Sequence, residues 1–218
     1  MIRRLIFALA MIAPNLAAAE TPTTIDGLLS KYSDVKLNAL TECLKEATRR
    51  LKADSDSTFD PDDCALRTMA FEANKDDFDD RVALLASVIA ADSFDAPDSI
   101  HLLIRCDEKG ISTTFATKYP HHGLNNIVPF RYRIGTRERR ETEAGAITGN
   151  SYIGFYLTSD DSKALLEELS KAPNEPLLVQ INATLTFKAR FEITNSAEIA
   201  KDALAVCPLL TTCEDGDE

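Results

Sequence analysis

The sequence predicts an α+β protein: an N-terminal helical region followed by a small antiparallel β-sandwich-like domain closed by a C-terminal helix. Three observations predict it. Apolar residues recur at steps of three and four over residues 33–52. They alternate with arginine over residues 128–134. They return to helical spacing over residues 196–206, at Ile199, Ala203 and Val206.

Residues 1–19 predict a secretory signal peptide. Arg3 and Arg4 make a basic start, residues 5–13 are apolar, and an Ala-x-Ala pattern ends at Ala19. The apolar run is shorter than the roughly 20 residues a membrane span needs, and no later segment is long enough either. Export to a bacterial periplasm or beyond is therefore expected. The formal net charge is −11, and it becomes more negative when Arg3 and Arg4 leave with the leader. Such an excess argues against nucleic acid or an anionic lipid surface as a bulk partner.

Residues 20–97 read as the helical domain. In its first helix Leu37, Leu40, Leu44, Ala47 and Leu51 share a stripe, and Ser33 suits the N-cap. A second helix opens at "DPDDCALRTMAFEA", with Asp60 as cap, Pro61 at the first position, and Asp62 and Asp63 at the positive end of the helix dipole. A third is expected over residues 76–91, with Phe78, Val82, Leu85 and Ile89 on one face. Ten acidic residues lie between Asp54 and Asp80. Their spacing lacks the Asp-x-Asp-x-Asp-Gly loop and distal Glu of a calcium site, so they read as helix starts and a solvated face. An antiparallel hairpin of the first two helices would bring Cys43 to Cys64, and a bond there would contribute roughly 3 kcal/mol.

Residues 98–213 read as the strand-rich α+β domain, and residues 214–218 as a disordered acidic tail. Strands are expected at residues 101–105, 110–117, 128–134, 151–157, 177–182 and 183–193. Asp107 to Gly110 is a turn-like tetrad between the first two. "SDDSKALLEELSKA" is a helix capped near Ser159 or Asp160, and the last helix stops at Pro208. The five cysteines of an exported chain suggest disulfides. Cys106 ends the first strand and Cys207 the last helix, so a bond between them would tie the domain's two ends; Cys106–Cys213 is the rival pairing.

Four stretches carry a family resemblance: "LLIRCDEKGISTTFAT", "VPFRYRIG", "SYIGFYLTSDDSKALLEEL" and "LTFKARFEITNSAEIAKDALAVC". In order and spacing, residues 99–207 resemble the periplasmic VasI-like family associated with type VI secretion. The resemblance implies a non-enzymatic accessory module with a Cys106–Cys207 bridge.

Catalytic patterns are scarce. There is no Gly-x-Ser-x-Gly, no His-Glu-x-x-His and no Cys beside a His. "KYPHHG" carries His121 and His122, which with a carboxylate are the residues a zinc site or a hydrolase would use; a polar loop is the plainer reading. No cofactor is expected. The informative polar stretch is "RYRIGTRERR", with Arg131, Arg133, Arg137, Arg139 and Arg140. Alternation puts Arg131 and Arg133 on one exposed face, and a hairpin through Gly135 would bring Arg137 and Arg139 beside them. Arginine forks suit carboxylate and phosphate groups. Two readings stand: Glu138, Glu141 and Glu143 neutralise these cations, or the face docks an acidic partner. That partner would be a protein of the cell envelope, an envelope anion, or the acidic helical region of the same chain. Binding or assembly is expected rather than catalysis, with an inhibitor of an envelope enzyme or a stress protein as the alternative role.

Overall fold

The computed structural model of the chain describes residues 24–53, 68–75, 82–94, 100–118, 127–148, 152–184 and 186–211. Helix α1 spans Ile25–Ala53 and begins before Ser33, the expected cap. Thr24 takes that role: its Oγ1 accepts the N–H of Gly27 at 3.1 Å, satisfying one of the donors left open at a helix start. Leu28 and Tyr32 are buried, with Ile25, Leu29 and Val35 packed beside them. Leu37, expected on the apolar stripe, is 62% exposed.

The strands are β1 (Phe71–Lys75), β2 (Val82–Ile89), β3 (Asp92–Phe94), β4 (Ile100–Asp107), β5 (Gly110–Thr117), β6 (Ile127–Ile134), β7 (Arg140–Thr148), β8 (Ile153–Tyr156), β9 (Leu177–Asn182) and β10 (Thr186–Phe191). Helices α2 (Ser159–Leu169) and α3 (Ser196–Thr211) complete the described elements. All ten strands form one open antiparallel sheet in the order β1-β2-β4-β5-β8-β7-β6-β9-β10-β3. The class is therefore α+β, and the C-terminal helix lies against the sheet as expected.

Residues 71–75 and 82–94 correct the expected helical region. The end of the second expected helix is β1, and the third is β2. Its stripe came from a nearly continuous apolar run, "VALLASVIA", and such a run has no period that separates a helix from a buried strand. Pairing decides the matter: β2 is hydrogen-bonded to β1 on one side and to β4 on the other, burying Leu84, Ala86 and Val88. Strand β7 is the second arm of the expected hairpin through Gly135. The cap of α2 is Thr158, whose Oγ1 accepts the N–H of Asp161. Helix α3 runs on through Pro208 instead of stopping there.

The sheet is strongly curled, as right-handed strand twist allows over many strands. Strands β2 and β3 stand second and last in the order, yet only Ala90 and Ala91 separate them. The N–H of Ala90 donates to the carbonyl of Ile100 and that of Ala91 to the carbonyl of Arg190, both at 2.8 Å. One stretch of chain thus spans the two flanks of the concave face. Aromatic rings fill that face. The Phe115 ring lies 5.0 Å from Phe130 and 5.9 Å from Phe191, and Phe155 lies 5.6 Å from Phe187, joining strands far apart in the order. Leu165, Leu166 and Leu169 of α2 and Ile199, Ala203 and Val206 of α3 are buried against the same core.

Two polar clasps and one covalent clasp fix the periphery. Cys106 and Cys207, both buried, are joined by a disulfide with their Cα atoms 5.1 Å apart, so α3 is tied to β4. Asn195 pairs with the backbone of Met69 just before β1: its Nδ2 donates to the carbonyl at 2.7 Å and its Oδ1 accepts the N–H at 3.1 Å. Asp202 of α3 is 2% exposed and accepts from Lys31 Nζ at 2.6 Å and Tyr32 OH at 2.8 Å, anchoring α1. Burial alone would lower the Lys31 pKa, but its hydrogen bonds to Asp202 and Glu198 outweigh this and raise it above the ordinary 10.5. Burial first, and then the Asp202 charge, raise that of Tyr32 above the ordinary 10.0. Both groups hold their protons more tightly folded than unfolded. Their contribution to stability is therefore complete below the unfolded values and is lost as pH rises past them. Thermal unfolding from pH 9 to pH 11 should show a steeper loss for the wild type than for Asp202→Asn, which lacks the carboxylate; parallel curves would refute this.

Candidate functional site

The outer side of strands β6, β9, β10 and β3 forms a groove of about 500 Å³. Its rows follow from register. On β6, Phe130, Tyr132 and Ile134 are buried inward, so Arg131 and Arg133 face outward. Gln180 of β9 stands opposite Arg131, and Leu178 opposite Arg133. On β10, Phe187, Ala189 and Phe191 point inward, which turns Lys188 and Arg190 outward opposite Gln180 and Leu178. Asp92 of β3 stands opposite Arg190. Two cationic columns therefore flank the uncharged column of β9, separated by two strand spacings, about 9.6 Å.

Arg139 joins the lining from the β6–β7 connection. The lining thus carries five cationic side chains and one carboxylate, in a chain whose net charge is −11. Protein acidic groups offset only part of this. Glu141 Oε1 lies 3.2 Å from Arg131 Nε and 2.8 Å from Arg139 Nη2, and Glu192 Oε1 lies 2.9 Å from Arg190 Nη2. Arg133 and Lys188 have no ion-pair partner among the described residues. The Nε atoms of Arg131 and Arg190 are buried and make no hydrogen bond; Glu141 is close enough to Arg131 for charge attraction but is not aligned as an acceptor. Those buried Nε atoms are closed to an external acceptor, so the groove offers one the exposed parts of the two side chains, 35% of Arg131 and 43% of Arg190. Tyr132 adds no negative charge beneath the groove, because burial, with help from Glu168, pushes its hydroxyl up to about 12.

The five sequence-singled arginines divide. Arg131, Arg133 and Arg139 line the groove. Arg140 stands opposite Tyr132 in the β6–β7 ladder, on the inward-facing register, and pairs with Glu168 of α2 at 2.9 Å. Arg137 follows Gly135, whose φ of +55° turns the chain away from the strand axis. A Cβ at that glycine would run into the Glu175 side chain. Arg137 Nη2 donates to the carbonyl of Lys171 at 2.6 Å and lies 3.9 Å from Glu175. Of the expected neutralising acids, Glu141 does pair within the hairpin, but it meets two arginines at once.

Lys188 and Arg190 were not singled out, although "FKARF" carries the same alternation that marked "FRYRI". Cys64, Cys213, His121 and His122 lie outside the described residues, as does the side chain of Cys43. His101 sits on β4, its pKa lowered by burial and by Lys118. Among the described residues no helix is long and apolar enough to cross a membrane. Comparison with protein-family models, curated proteins and solved structures finds no match.

The lining contains guanidinium, ammonium, amide and apolar groups, with one carboxylate. This inventory suits anion recognition by charge-assisted hydrogen bonds.

Proposed function

We propose that this chain is an exported, non-enzymatic binding or accessory module that docks an acidic protein partner in the cell envelope. The observation that carries the reading is the convergence of Arg131, Arg133, Arg139, Lys188 and Arg190 on one groove, with Arg133 and Lys188 unpaired among the described residues. A locally positive groove on an acidic molecule focuses an anionic segment on itself, while the rest of the surface repels other anions. The leader pattern and the Cys106–Cys207 disulfide support export to an oxidising compartment. The resemblance of residues 99–207 to the VasI-like family supports an accessory role beside type VI secretion.

The test is fluorescence anisotropy with a labelled deca-glutamate peptide. Arg133→Glu with Lys188→Glu should weaken binding by about tenfold or more, since two charge-assisted contacts become repulsions. Lys163→Glu with Lys201→Glu, exposed lysines on α2 and α3, produces the same change in net charge and should leave binding in place. Equal weakening in both double variants, or no binding by the wild type at low salt, would overturn the groove reading.

A further inference from the structure

Beside the groove the outer surface of the sheet changes character. Ile127 is 69% exposed, Ile147 55% and Tyr156 41%. Register brings them together. Ile127 of β6 stands opposite Gly145 of β7, Gly145 stands opposite Tyr156 of β8, and Ile147 is two residues further along β7. The Tyr156 ring lies over Gly145, where a Cβ would collide with it, so the ring extends across the strand toward Ile127. A cluster of large apolar groups in water on one sheet face is a mark of an interaction surface.

The same strand links this cluster to the cations. On its outer row β6 carries Ile127, Pro129, Arg131 and Arg133 in turn. The rise from Ile127 to Arg131 is about 14 Å at strand spacing. Glu143 stands opposite Pro129, so the middle of this path is not cationic. The charged end lies beyond it, toward Arg133, Lys188 and Arg190.

From this continuity, and resting on the reading of the groove as an anion site, we infer that the occupant is an extended two-part segment of another protein. An apolar anchor sits on Ile127, Ile147 and Tyr156, and a run of carboxylates about four residues away lies in the groove. A protein segment fits better than an anionic membrane. A bilayer presents its charge to the whole molecule, whose −11 net charge opposes approach, whereas a segment meets only the cationic groove.

Two labelled peptides test this: Leu-Leu-Gly-Ser-Gly-Ser-Glu-Glu-Glu-Glu, and the same peptide with Gly for both Leu. The anchored peptide should bind about tenfold more tightly. Ile127→Ser with Ile147→Ser should remove that advantage and leave the glycine peptide unaffected, while Arg133→Glu with Lys188→Glu should weaken both. Both isoleucines are exposed, so their replacement spares the core. If the two peptides bind equally, yet both depend on Arg133 and Lys188, the two-part inference fails and the groove reading stands. If neither depends on those cations, the groove reading fails as well. Two further results would overturn the inference: retention on phosphatidylglycerol vesicles that Ile127→Ser with Ile147→Ser abolishes, or self-association of the protein abolished by the same change, which would assign the apolar cluster to a second copy.

Discussion

Replacing Cys106 and Cys207 together by alanine is expected to lower the unfolding free energy by about 4.7 kcal/mol. The bond spans 101 residues, and the chain-entropy cost removed from the unfolded state grows with the logarithm of that length. For a chain of this size the loss corresponds to a fall in Tm of roughly 10–15 °C. The effect is local as well. Cys207 lies near the end of α3, while Ala200, Ala203 and Val206 of the same helix seal the core over the sheet. The double variant should therefore also lose hydrogen-exchange protection in α3 before β6 and β9. Thermal unfolding of the double variant beside oxidised wild type provides the check. A shift smaller than about 3 °C would show that the bond constrains little.

The second large effect is expected at Phe115. Its ring is fully buried and touches Phe130 and Phe191, so it joins β5 to two strands on the far side of the curl. Phe115→Ala should cost about 3–5 kcal/mol through lost burial and the cavity left behind, whereas Phe115→Leu should cost much less. Urea unfolding midpoints measure the difference, and alanine and leucine variants of equal stability would refute the role given to the ring. The consequence reaches the groove. Phe130 and Phe191 lie on β6 and β10, whose opposite sides carry Arg131, Arg133, Lys188 and Arg190. A cavity at Phe115 should loosen the spacing of the two cationic columns and weaken deca-glutamate binding in the folded fraction.

Local pattern was legible where one face of an element is buried and the other wet. The alternation through Val128, Phe130, Tyr132 and Ile134 put Arg131 and Arg133 outward, and they are outward. Asp107 to Gly110 read as a turn, and Asp107 Oδ1 indeed accepts the N–H of Lys109 there. The position of Cys106 at a strand end and of Cys207 late in a helix suggested a bond that the fold contains. Legibility failed where the outward row of an element is apolar as well. Residues 82–89 are apolar on almost every position although the buried row is that of Leu84, Ala86 and Val88 and Ser87 is exposed, so the run has no period to read. The arginine hairpin was half legible. Its outward members followed from period two, but the turn at Gly135 separated Arg137 from the groove, and the ladder placed Arg140 toward Glu168.

Spacing leaves the partner of Cys106 open between Cys207 and Cys213, and the fold joins it to Cys207. The α+β class and the outward set on β6 follow from short-range chemistry: side-chain period, caps and turn residues. The groove does not. It exists because β9 lies between β6 and β10, setting Lys188 and Arg190 across from Arg131 and Arg133 although more than fifty residues separate them along the chain. Strand order depends on which distant faces bury the most apolar surface together, here the rings of Phe115, Phe130 and Phe191. That choice is a property of the packed core and of no single stretch of residues.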